Sequence, residues 1–214
     1  MLLYDLSDIT IRSIAVSEMS NNVYVLTSKS SGAQVVVDAA DDAPAVLSLL
    51  AEAHEDTVAH AHPAVIITTH SHWDHVRALR ELKTATAAPT AAGADDIVDI
   101  TVPTDIPLHH DDVMSFDGIE LEVIHLRGHT PGSVALLYCD PHGPAHLFTG
   151  DSLFPGGIGN TGDVASRFAS LYSDVVARIF DRLPDDTVVH PGHGTGTTLG
   201  AERGSLPEWK QRGW

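Results

Sequence analysis

At 214 residues with 43% hydrophobic content, the chain is long enough for one well-buried core and short for two, so a single domain over residues 1–214 is expected. Twenty-nine acidic against 12 basic residues give a net charge of −17, which argues against nucleic-acid backbones and anionic membrane surfaces as partners. The opening MLLYDLSDIT has no signal-peptide character, no stretch approaches the roughly 18 apolar residues of a membrane span, and a lone cysteine suits a reducing compartment, so a cytoplasmic protein is expected.

In chain order, ITIRSIAV, NVYVLTS and AQVVVDAA are short β-branched runs between polar breaks, the pattern of an opening meander. Asp41, Asp42 and Pro44 then predict a helix start before AVLSLLAEAHE. AVIITTH reads as a buried strand, followed by a histidine-rich loop and a helix between Asp74 and Lys83. VMSF and IELEVIHL flank Asp117-Gly118, a two-residue hairpin signal. SVALLYC and AHLFTGD follow as strands, and Cys139 in the first is expected to be a buried core thiol. From Val164 to Leu183 apolar residues recur at helical spacing up to Pro184, predicting one long amphipathic helix. TVVHPGHG reads as a last strand ending in a glycine-rich loop, and the tail from Leu199 shows no strong period. Strands then helix, repeated twice, imply an α/β fold of two halves packed sheet to sheet with helices outside.

The chemistry is concentrated in His70-Ser71-His72-Trp73-Asp74-His75, four ligand-type residues directly after an apolar strand. Extended backbone points His70 and His72 the same way, towards one ion, and a turn lets Asp74 and His75 reach another. Imidazole and carboxylate suit Zn²⁺ first, with Fe²⁺ or Mn²⁺ as alternatives. His54, His60, His62, His109, His110, His142 and His146 read as solvated, whereas His125 and His190 are candidates for a supporting shell around ligands.

THSHWDH resembles the HxHxDH signature of the metallo-β-lactamase superfamily, and GHTPGS around His129, FTGDSLF around Asp151 and HPGHG around His193 resemble its later motifs in the same order. The resemblance implies a four-layer αββα sandwich of two pseudo-equivalent halves. It implies one ion on His70, His72 and His129, a second on Asp74, His75 and His193, and Asp151 bridging them. Asp74 would orient the attacking water and carry its proton.

Asp74-His75, an Asp at the bridging position, and the GIGNTGD and GAER…LPEW segments are similar to short glyoxalase II-like proteins of actinobacteria. That resemblance implies hydrolysis of an acyl thioester of a small thiol. With only about twenty residues after His193, no helical glutathione-binding domain is expected, and Arg77, Arg127 and Arg167 stand either to attract a substrate carboxylate or to serve the surface. Two other activities share the scaffold: a persulfide dioxygenase with one iron on His70, His129 and Asp151, against which Trp73 counts, and a lactonase or β-lactamase. A non-catalytic metal protein is disfavoured by seven intact ligand positions.

Overall fold

A computed structural model describes residues 1–213; Trp214, which ends the tail, lies outside the described residues. The first half of the chain forms a seven-stranded sheet in sequential order: β1 (Leu2–Asp5), β2 (Ile9–Val16), β3 (Asn21–Ser28), β4 (Ala33–Val37), β5 (His62–Thr68), β6 (Thr90–Gly93) and β7 (Ile106–Leu108). Strands β1 to β4 are an antiparallel meander, and β4 to β7 run parallel. Helices α1 (Ala43–Glu52) and α2 (Leu79–Thr86) make the β4–β5 and β5–β6 crossovers that parallel pairing requires. Asp42 caps α1 by accepting from the Ala45 N–H.

The second half contributes β8 (Val113–Phe116), β9 (Ile119–His125), β10 (Val134–Tyr138) and β11 (His146–Gly150), then the small hairpin β12 (Leu153–Phe154) and β13 (Gly157–Ile158). Helix α3 (Ala165–Val175) leads to β14 (Val188–Pro191) and β15 (Thr197–Thr198). Their sheet runs β15-β14-β11-β10-β9-β8. The Asp117-Gly118 turn joins β8 and β9 as expected, with φ of 42° and 101°.

Alternation along the strands sorts the side chains into three apolar layers. Val35, Val37, Leu136 and Tyr138 pack between the two sheets with Ile9, Leu26, Ile67, Leu121 and Phe148. Val36 and Ile66 face the other way, onto Val46, Leu50 and Leu82 of α1 and α2. Ala135 and Leu137 face Leu171, Val175 and Trp209. Helix, sheet, sheet, helix is the four-layer α/β sandwich, and chain halves of like construction supply its two sides.

Several local expectations need correction. Leu2–Asp5 pairs as an additional strand, and the tail folds into α4 (Leu199–Arg203) and α5 (Leu206–Arg212), which bury Trp209. The helix expected from Val164 begins at Ala165 and passes into a π turn over Val176–Phe180. The segment after His72 is a 3₁₀ turn at Trp73–His75, and the helix starts only at Leu79. Cys139 is exposed, because β10 ends at Tyr138 and the next residue opens onto a groove of about 440 Å³ shared with Ser115 and Glu122. His146 is buried: it begins β11, and its ring stacks on His190 with Nδ1 2.9 Å from the other ring's Nε2.

Candidate metal centre

The topology puts the motifs at one end of the sandwich. β9 and β11 both run opposite to β10, and β14 runs parallel to β11, so His129, Asp151 and His193 all follow strand ends on the same side. Across from them lie the ends of β4 and β5, where Asp38 and the His70–His75 segment emerge. The two edges are stitched together by the Asn21–His193 bridge and by the Val134 N–H donating to Thr69 O at 2.8 Å.

All seven expected site residues meet here. His70, His72 and His129 offer ligand atoms within 4.8 Å of one another, as do Asp74, His75 and His193, and as do His70, His75 and Asp151. Asp151 touches both sides: its Oδ2 is 3.7 Å from His129 Nε2 and 3.4 Å from His193 Nε2, and its Oδ1 is 3.5 Å from His75 Nε2.

The rings are held from outside. The Nδ1–H of His75 donates to Asp38 Oδ2 at 2.9 Å, that of His129 to Asn160 O at 2.7 Å, and that of His193 to Met19 O at 2.9 Å. His70 donates through Nδ1 to Thr69 Oγ1 at 3.1 Å, whose own hydroxyl donates to Asp38 Oδ2. In the neutral form of these four rings, with the proton on Nδ1, Nε2 turns a lone pair inward. The result is a knot of acceptors: the Nε2 atoms of His75 and His193 stand 3.1 Å apart, and the buried His70 Nε2, His129 Nε2 and Asp151 Oδ1 have no hydrogen-bond partner. Buried acceptors facing one another are costly unless a cation lies among them, so the residues present fit divalent metal.

Charge balance separates the rings. Burial alone would lower His75, but the charges of Asp38 and Asp151 outweigh it and push the ring up to about 10. Burial lowers His70 and His129, keeping both in the neutral form that a metal ligand needs. Burial raises Asp151, yet the His193 and His75 rings facing it hold its carboxyl far below the usual carboxylate range.

Other residues were not foreseen. Asn21 Nδ2 donates to Asp74 Oδ2 at 2.9 Å, and Asp38, Thr69 and Asn160 orient the imidazoles. Only Asp38 carries a local signal, an acid closing an apolar parallel strand. Neither suggested histidine supports a ligand: His125 donates to Pro131 O, and His190 pairs with His146. The three arginines brace loops. Arg77 pairs with Asp41 and lies 4.0 Å over the exposed Trp73 ring, Arg127 grips Asp174, and Arg167 donates to Gly128 O and His129 O.

Such a fold with such a knot of His and Asp defines a metal-binding α/β sandwich, and the sequence comparison gives it a family. Residues 16–193 match the metallo-beta-lactamase superfamily, to which the chain belongs. It is 31% identical over 161 residues to the hydroxyacylglutathione hydrolase GloC of Haemophilus influenzae, covering 67% of this chain and 74% of that one. Among solved structures, BLEG-1 B3 metallo-beta-lactamase superposes with a TM-score of 0.79 at 26% identity, covering 93% of this chain and 99% of that one. TTHA1623 in a di-iron-bound form superposes with a TM-score of 0.70 at 30% identity, covering 90% and 96%. Among the described residues, no helix is long and apolar enough to cross a membrane.

Proposed function

We propose that this protein is a dinuclear metal-dependent hydrolase acting on an acyl thioester of a small thiol. The observation that carries the reading is the convergence of two ligand sets around Asp151, with the buried Nε2 atoms of His70 and His129 left unpartnered. His70, His72 and His129 would hold one ion, Asp74, His75 and His193 the other, and Asp151 would bridge. Zn²⁺ suits this donor set best, with Fe²⁺ or Mn²⁺ as alternatives. The named activity of GloC supports a thioester, and the di-iron relative supports two ions rather than one.

When bound, such ions supply an acidified water, whose pKa falls towards about 7, and positive charge to offset the oxyanion. The chain supplies order around that chemistry. Asn21 fixes the Asp74 carboxylate, leaving Asp74 to orient the water and take its proton. The water oxygen bonds to the thioester carbonyl carbon, the C–S bond breaks, and the proton passes to the departing sulfur. No Ser or Cys nucleophile enters, and Cys139 opens onto a groove lined by none of the seven site residues.

The test is metal analysis combined with a thioester panel that reads released thiol. Close to two ions per chain and thiol release abolished by chelation are expected. A metal content near zero after refolding with Zn²⁺ or Fe²⁺ overturns the metal centre. Oxygen uptake with a thiol persulfide, without thiol release from any thioester, overturns the hydrolase.

A further inference from the structure

Asp96, in the turn after β6, is fully buried, and three uncharged donors meet its carboxylate. Ser71 N–H donates to Oδ2 at 2.8 Å, the Thr130 hydroxyl donates to the same oxygen at 2.6 Å, and Gly132 N–H donates to Oδ1 at 2.6 Å. All three come from the segments that carry one ligand set. Ser71 lies between His70 and His72, Thr130 follows His129, and Gly132 closes the same loop. The backbones touch as well: a Cβ on Gly132 would stand 2.4 Å from Asp96 N, and one on Gly93 would stand 1.9 Å from Gly132 O.

We infer that Asp96 is a positioning residue that locks the His70–His72 segment to the His129 loop so that the three imidazoles converge on a single ion. The inference rests on the two-ion reading above. His72 and His129 are 57 residues apart in sequence and emerge from different sheets, so nothing local fixes their relative placement. A shared buried carboxylate does so, because its two oxygens accept from both segments at once and burial shields them from bulk solvent. Asp38 takes His75 Nδ1–H directly and reaches His70 through Thr69, whereas Asp96 touches neither Asp74, His75 nor His193, so Asp96 should act on one ion and spare the other.

Asp96→Asn tests this with little change of shape. The amide must turn its NH₂ towards either the Gly132 N–H or the Ser71 and Thr130 donors, losing acceptors on one side. Co²⁺ affinity, read by chelator competition, is measured in two single-ion backgrounds. In His193→Ala, which keeps the His70/His72/His129 ion, Asp96→Asn should weaken binding by about tenfold or more. In His72→Ala, which keeps the Asp74/His75/His193 ion, the change should stay within about twofold. Thr130→Val, which removes one donor of three, guards against misfolding of Asp96→Asn and should weaken only the first ion, by roughly threefold. Equal weakening of both ions, in step with a lower melting temperature of the metal-free protein, would show a merely structural role and overturn the inference, as would unchanged affinity for the first ion. Wild-type protein that binds fewer than two Co²⁺ overturns the two-ion reading itself, before any variant is compared.

Discussion

Four of the five imidazoles at the candidate centre, those of His70, His75, His129 and His193, have one nitrogen committed to an acceptor outside it, so the inward nitrogen is chosen by its neighbour, not by its own chemistry. Asp151 differs in facing both ligand sets. Asp151→Ala should therefore cost more metal than any single histidine variant, with content falling below one ion per chain by mass spectrometry and thiol release falling at least about a hundredfold. Near-normal content would show that the carboxylate does not bridge. Away from the centre, the buried Asp174 accepts from the backbone N–H, Nε and Nη2 of Arg127. Burial pushes its carboxyl up, but those hydrogen bonds win and hold it below the ordinary range. Its stabilisation is thus fully present above the unfolded carboxyl value of about 4 and fades as pH falls through the lower folded value. Asp174→Asn should cost about 2 kcal/mol in denaturant titrations at pH 7, and the gap should close on acidification below about pH 4. A gap unchanged down to pH 3 would contradict the pairing.

At the scale of elements, what could be read in advance was what neighbours in sequence determine. The meander, the Asp117-Gly118 hairpin and the start of α1 rest on period-two patterning, turn chemistry and capping, all local. His70, His72, Asp74 and His75 were legible for the same reason, as one run after a strand, whereas His129, Asp151 and His193 came from the resemblance of their short motifs to those of the family. Asn21, Asn160 and Asp96 were not, because each acts on a residue at least 25 positions away, and Asn160 does so through its backbone carbonyl, which no side chain signals. Helix α5 escaped because one tryptophan, Trp209, carries its burial instead of a repeated stripe. The loop after β14 shows how closely elements are matched. A Cβ on Gly192 would stand 2.3 Å from Asp151 Oδ1 and 2.8 Å from His75 Cε1. Gly192→Ala should keep the far-ultraviolet circular dichroism of the wild type while displacing the carboxylate, with metal affinity down about tenfold or more. Wild-type affinity in that variant would mean the loop can retreat without moving Asp151.

For the whole molecule, each ligand set draws on both sheets: His70, His72, Asp74 and His75 follow β5 of the first, while His129 and His193 follow β9 and β14 of the second. Bound ions would then act as cross-links between the halves of the sandwich, at the end where the inter-sheet core gives way to polar loops. Without them the same end gathers facing acceptors, and a proton at His75, pushed up to about 10, offsets only part of that charge. Metal binding must displace that proton, so affinity falls as pH is lowered. The metal-loaded protein should therefore melt above the metal-free one by a margin that grows with free metal, about 2.7 kcal/mol at a hundredfold excess over Kd and on the order of 5–10 °C at this size. The margin should shrink from pH 8 to pH 6. Hydrogen exchange separates a cross-link from a local effect. The Val134 N–H, which donates across the sheets to Thr69 O, should slow on metal binding together with amides at the ends of β5 and β14. Protection confined to the loops of one sheet would show that the ions stabilise a single half and leave the junction untouched.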